Sequence, residues 1–162
     1  MTGEYRDCGA LTDIVEMLAL DCPAALERLD RVFDTAPPQA ALFHALARDR
    51  GDDYVGTLRF FDWKAADVEI QKGLSELPTY PQEFSWEWHD WTALGHRVYD
   101  SPLDPLYGFL SAIDANLGEH NMSLVGFWVD HEGYCLGFIP DDDLRELQYL
   151  ARQVDVDLTF FY

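Results

Sequence analysis

The stretch from Met122 to Ile139 limits the fold more than any other part of the chain. Val125, Phe127 and Val129 alternate with Leu124, Gly126 and Trp128, so an extended strand here carries apolar side chains on both faces. Such a strand needs cover on both sides, which places it at the centre of a sheet. Asp130-His131-Glu132-Gly133 reads as a turn and Tyr134 to Ile139 as a second strand, giving an antiparallel hairpin. Pro140-Asp141-Asp142-Asp143 then opens a helix through Leu144, Leu147 and Leu150 to about Gln153, and Val156 to Phe161 supplies a last strand for the same sheet. The three aspartates suit a helix cap that complements the dipole. They do not suit a cation site, whose ligands must converge from several elements.

The first third reads differently. Leu11 to Leu20 is a helix with Ile14, Val15, Met17 and Leu18 as its apolar stripe. Asp21 caps a second helix with Pro23 in its first turn and Leu26, Leu29, Val32 and Phe33 at helical spacing. After Thr35-Ala36-Pro37-Pro38, a third helix runs from Gln39 to about Arg48. Tyr54 to Phe61 is aromatic and β-branched, a strand that Asp62 ends. Asp62 is also placed to cap a helix from Trp63 or Lys64 to Glu76, with Val68, Ile70 and Leu74 apolar and Pro78 and Pro81 beyond its end. Phe84, Trp86 and Trp88 alternate with Ser85 and Glu87, which points to a short strand. Ser101-Pro102 opens a helix through Leu106, Phe109, Leu110, Ile113 and Leu117 that Gly118 closes. The sum is a single α+β (mixed α/β) domain over residues 1–162: a helical preface, 1–50, then a sheet-containing part, 51–162, with a mostly antiparallel sheet and packed helices.

Charge bears on function. The formal net charge is −19, from 11 basic and 30 acidic residues. Between Gly73 and Leu144 there are thirteen acidic residues and one basic residue, Arg97, together with four of the five tryptophans. Direct binding of nucleic acid or of an anionic membrane surface requires the opposite sign. No apolar run approaches the ~20 residues of a spanning helix, and the first residues lack the pattern of a signal peptide, so the expected location is the cytoplasm. Cys8, Cys22 and Cys135 are odd in number and irregular in spacing, which fits reduced thiols.

Motifs of catalysis are not found. The five histidines, His44, His89, His96, His120 and His131, form neither H-x-x-x-H nor H-E-x-x-H. G-x-S-x-G, a Walker A loop and G-x-G-x-x-G are missing too, and no cofactor or metal is expected. His89 and His96 lie seven apart beside Glu87 and Asp90, a spacing that pairs them only if the segment is helical.

The best functional candidate is the block Phe84-Ser85-Trp86-Glu87-Trp88-His89-Asp90-Trp91. One reading is a strand or loop packed over the sheet. The other is a recognition edge in which Glu87 and Asp90 meet Lys or Arg of a partner while Trp86, Trp88 and Trp91 fill pockets. A one-signed field steers encounter and buried rings hold the complex, so the expected partner is a basic protein.

Two resemblances add to this. Phe60-Phe61-Asp62-Trp63-Lys64 with Val68 and Leu74, and the ending Leu124 to Phe160 around Gly137-Phe138-Ile139-Pro140-Asp141, resemble a family of small bacterial α/β domains of unknown function. That resemblance implies an α/β domain and no reaction. In its acidic, tryptophan-rich, cysteine-poor character the chain is also similar to bacterial immunity proteins that neutralise toxins. The expected function is therefore an acidic protein-binding domain, with an immunity protein covering a toxin's basic surface as the narrower form. The alternatives are a small hydrolase using carboxylates and a histidine, and a nucleic-acid mimic.

Overall fold

The computed structural model describes residues 8–19, 22–47, 56–89, 91, 105–129 and 133–161. Three helices come first: α1 (Cys8–Leu18), α2 (Cys22–Val32) and α3 (Pro38–Leu46). Strand β1 (Arg59–Asp62), helix α4 (Asp67–Ser75) and helix α5 (Pro105–Leu117) follow. The chain ends with β2 (Met122–Val129), β3 (Gly133–Pro140), α6 (Leu144–Gln153) and β4 (Thr159–Phe160). Four strands form one antiparallel sheet in the order β1-β3-β2-β4.

The hairpin strands occupy the middle of that sheet, as their two apolar faces require. Leu124 pairs with Phe138, Val125 with Gly137 and Phe127 with Cys135. One face of the sheet presents Val125, Phe127, Cys135 and Ile139 to α1, α2, α3 and α6. The opposite face presents Leu124, Leu136 and Phe138, with Phe61 and Phe161, to α4, α5 and the segment around Phe84. The helical preface is thus one outer layer of a three-layer domain. It contributes Ile14, Val15, Leu29, Leu42 and Leu46 to the core on its side, all essentially inaccessible to solvent.

The outer edge of β2 is met by more than β4. Strand β4 pairs only with Val125 and Gly126. On one side of that short pairing, the Leu124 N–H donates to Asp114 Oδ1 of α5 at 2.9 Å. On the other, Gln39 Nε2 of α3 donates to the Trp128 carbonyl at 2.5 Å.

Several local expectations are corrected. Helix α4 begins at Asp67, and Asp62 does not cap it: Asp62 Oδ1 accepts from the Lys64 N–H at 2.8 Å in the turn after β1. The true start has Ala66 as N-cap, with its N–H donating to Glu69 Oε2 at 3.3 Å. Ile70, Gly73 and Leu74, at helical spacing, face inward, while Val68, two residues before Ile70 and so on the opposite side of the helix, faces solvent. Gly73 lets α4 lie close to β1: a Cβ there would sit 2.5 Å from Phe61 Cε1. Gly118 does not close α5. A 3-10 turn, Gly118–His120, continues it, and Asn121 in the left-handed region (φ 55°) ends it. Among Asp141–Asp143, no side chain caps α6; a 3-10 turn precedes the helix, and Asp141 Oδ1 accepts from Ser123 Oγ at 2.5 Å. The expected strand at Phe84–Trp88 is irregular chain that ends in a turn at Glu87 and Trp88. Asp21, Arg48, Tyr54, Val55, Ser101, Pro102 and the turn 130–132 lie outside the described residues.

Candidate protein-binding site

Residues 77–89 cross the second face of the sheet without a β-ladder. Their backbone is held by local turns instead: Tyr80 N–H to Leu77 O at 3.0 Å, Phe84 N–H to Pro81 O at 3.0 Å, and His89 N–H to Trp86 O at 3.1 Å. Rings anchor the rest. Phe84 is buried and meets Trp86 edge-to-face at 5.0 Å between centroids. Trp86 and Trp88, both partly buried, stack at 5.8 Å, and each lies over Phe109 of α5 at 6.4 and 6.3 Å. Trp86 Nε1 donates to Tyr80 Oη at 2.9 Å, and Tyr80 Oη donates to the Phe84 carbonyl at 3.3 Å. Trp88 Nε1 is buried with no hydrogen-bond partner among the described residues.

The five sequence-predicted residues therefore part company. Trp86 and Trp88 belong to the margin of the second core. Glu87 is exposed, its N–H held by Ser85 Oγ at 3.2 Å. Trp91 is 38% exposed and is the one indole of the block that faces solvent. Asp90 lies outside the described residues. The fourth tryptophan of the acidic stretch, Trp128, is elsewhere, edge-on to Tyr134 at 4.8 Å.

His89 fixes Trp91. The two rings meet edge-to-face at 4.4 Å, and the imidazole also lies 4.8 Å from Phe109 and 5.6 Å from Trp88. Its Nε2 is 3.0 Å from Asp67 Oδ2, on the first turn of α4, with both side chains mostly buried. The sequence places His89 beside Glu87, Asp90 and His96; the fold gives it a carboxylate 22 residues earlier. An Asp–His pair can orient a general base. Here no serine, threonine or cysteine side chain is hydrogen-bonded to His89 among the described residues, and rings line the imidazole on several sides. The chemistry at hand is that of a rivet joining the tryptophan segment to α4.

That rivet brings in residues that sequence reasoning did not assign. Four large hydrophobic side chains are exposed among the described residues, and Trp63 (50%), Val68 (58%) and Trp91 are three of them. Single exposed apolar residues are ordinary, and grouped ones are informative. Val68 follows Asp67 directly and Trp63 precedes it by four residues, while Trp91 touches the histidine that Asp67 holds. Asp62, Glu69 and Glu87 are exposed nearby in the chain. The ammonium of Lys64 lies over the Trp63 ring at 4.9 Å from its centroid.

Elsewhere the titratable groups have structural roles. Burial pushes the Asp114 carboxyl above its ordinary value, opposed by the Leu124 N–H bond and reinforced by the charge of Asp141. Burial likewise pushes the Cys135 thiol far up, which keeps it an inert core residue. Among the described residues, no group of three or more His, Cys, Asp and Glu is placed to hold a metal, and no helix is long and apolar enough to cross a membrane.

The class so defined is a single α+β domain whose antiparallel sheet is sandwiched by helices, with Trp63, Val68 and Trp91 and the carboxylates Asp62, Glu69 and Glu87 exposed. The chain belongs to the family described as a domain of unknown function, DUF6630, whose model matches residues 10–161. No curated protein and no solved structure matches it.

Proposed function

We propose that this domain binds a basic protein through the face that carries Trp91, in the manner of an immunity protein that covers the basic surface of a toxin. One observation carries the reading: an indole held half-open by the His89–Asp67 pair, beside Glu87, within a stretch of thirteen acidic residues and one basic residue. Interface energy concentrates in a few such rings, and the surrounding field raises the rate of encounter with a cation-bearing surface. The half-buried Trp86 and Trp88 serve as the footing that keeps Trp91 in place, more than as contacts in their own right.

Co-expression tests the narrower form. The product of the adjacent gene is expressed in a host with and without this chain, and association of the two purified proteins is followed from about 50 to about 500 mM salt, a range over which the screening length shortens severalfold. Rescue of growth with a rate that drops steeply as salt rises is the expected result. A growth defect that this chain leaves unchanged argues against immunity, and a salt-independent rate argues against the basic partner.

A further inference from the structure

Trp91 is not the whole of the exposed apolar surface on this side. The turn after β1 and the first turn of α4 carry two more exposed apolar side chains, Trp63 and Val68. Asp67 lies between them in sequence and grips His89, which in turn holds Trp91. An exposed carboxylate lies next in sequence or close to each of the three: Asp62 beside Trp63, Glu69 beside Val68, Glu87 in the Trp91 segment. The Trp63 ring already carries a cation, since Lys64 Nζ lies over it at 4.9 Å. Lys64 and Lys72 are the only lysines in the chain.

Resting on the basic-partner reading above, we infer that Trp63, Val68 and Trp91 form one docking face for an arginine-bearing segment of the partner, and that Lys64 is an internal occupant of the Trp63 ring that this segment displaces. The chemistry selects arginine over lysine. A guanidinium stacks flat on an indole while its edge forks to a carboxylate, whereas an ammonium offers a point charge that Lys64 already supplies. The contact between Lys64 and Trp63 keeps the ring ordered and partly screened until a stronger cation arrives.

Displacement gives a mutational sign that simple loss of contact cannot. Removing Lys64 should tighten binding. Lys72, exposed on α4, supplies the control, because Lys72→Gln changes the net charge equally while leaving the Trp63 ring covered.

The experiment titrates isotope-labelled protein with a synthetic Arg-Gly repeat peptide and with its Lys-Gly counterpart, following the tryptophan indole N–H signals and the Val68 amide. The expected result is that Trp63, Val68 and Trp91 shift together with one Kd, and that the Arg peptide binds tighter than the Lys peptide. Trp63→Ala should weaken binding read at Trp91 by about tenfold. Lys64→Gln should strengthen it about two- to fivefold, and Lys72→Gln by less. Val68→Ala, on the solvent side of α4, provides a second variant that leaves the Trp63 turn untouched. If Trp91 responds alone, with Trp63→Ala and Val68→Ala silent or Lys64→Gln no different from Lys72→Gln, the joint face is wrong while the basic-partner reading stands. If neither peptide moves any indole signal, the basic-partner reading fails and takes this face with it.

Discussion

The two sides of the sheet solve the same burial problem with different side chains. Under α1, α2, α3 and α6 the core is aliphatic and small: Ala10, Ala25, Ala41, Ala45 and Ala151 sit among Leu, Ile and Val, with Phe127 as its only fully buried ring among the described residues. Under α4, α5 and the 77–89 segment the aliphatic residues, among them Ile70, Leu74, Leu110 and Ile113, are interleaved with rings: Phe61, Phe84, Phe109, Phe138 and Phe161 are buried, and Trp86, Trp88, Tyr80 and Tyr134 lie at the margin. Alanine lets helices approach one another and the sheet closely, so the first side is closed by regular elements. Rings are large enough to hold a segment that has no backbone ladder, so the second side is closed partly by turns. A segment anchored to the sheet by its rings, with only local turns in its backbone, presents some of those side chains to solvent. This is why the candidate site lies on the aromatic side.

The largest effects should come from two fully buried rings, one on each side of the sheet. Phe127→Ala on the first side and Phe109→Ala on the second should each lose about 3–5 kcal/mol in chemical denaturation. The comparison predicts that only Phe109→Ala also red-shifts tryptophan fluorescence in the still-folded protein, because Phe109 supports Trp86, Trp88 and His89. Equal fluorescence changes in the two variants would erase the distinction between the sides.

Next in size is the division within the tryptophan block. Trp88→Ala should cost on the order of 3 kcal/mol, the lower end of the range for a core ring because Trp88 is only partly buried, while Trp91→Ala should stay within about 1 kcal/mol in a thermal melt. A melting temperature that collapses in the Trp91 variant would move that ring into the core and remove the proposed anchor. Gly73→Ala is smaller and sharper. The new methyl gains up to about 1 kcal/mol of helix propensity but meets the Phe61 ring, and crowding of this kind destabilises by about 1–3 kcal/mol. Net stabilisation would mean that α4 and β1 are not in close contact.

Much of the fold was legible in the sequence, and what was not has physical causes. The hairpin strands and α6 stand where their apolar patterns put them, because a strand buried on both faces leaves few alternatives. The period-two pattern of Phe84, Trp86 and Trp88 points to a strand, and the segment is instead the irregular chain packed over the sheet that the same residues also allow. Alternation reports direction along an extended backbone and says nothing of pairing. Asp62 looks like a cap because aspartate serves turns and helix starts alike, and Val68 is apolar without being core because its spacing from Ile70 and Leu74 sets it on the other side of the helix. Of the candidate site, Trp91 and Glu87 could be found from local composition. Asp67 could not, since its link to His89 spans 22 residues and exists only in the folded chain.

The smallest predicted effect concerns Asp114. Its folded carboxyl titrates above the unfolded one, so its contribution to stability is fully present below the unfolded value and is lost as pH rises through the folded value. At neutral pH the charge is therefore a burden, and Asp114→Asn, which keeps an oxygen for the Leu124 N–H, should raise stability at pH 7. That advantage should shrink as pH falls through the carboxylate range. An advantage that does not change with pH would mean the charge is not its source.

Asp114 and Gln39 have one more consequence. A sheet grows by offering unpaired N–H and carbonyl groups to another strand, and a β4 of two residues leaves most of the β2 margin open to such recruitment. By occupying the Leu124 N–H and the Trp128 carbonyl, two side chains from opposite helical layers act as stoppers on either side of β4. They make the domain resistant to polymerising edge to edge, a safeguard that matters for a chain whose central strands are apolar on both faces.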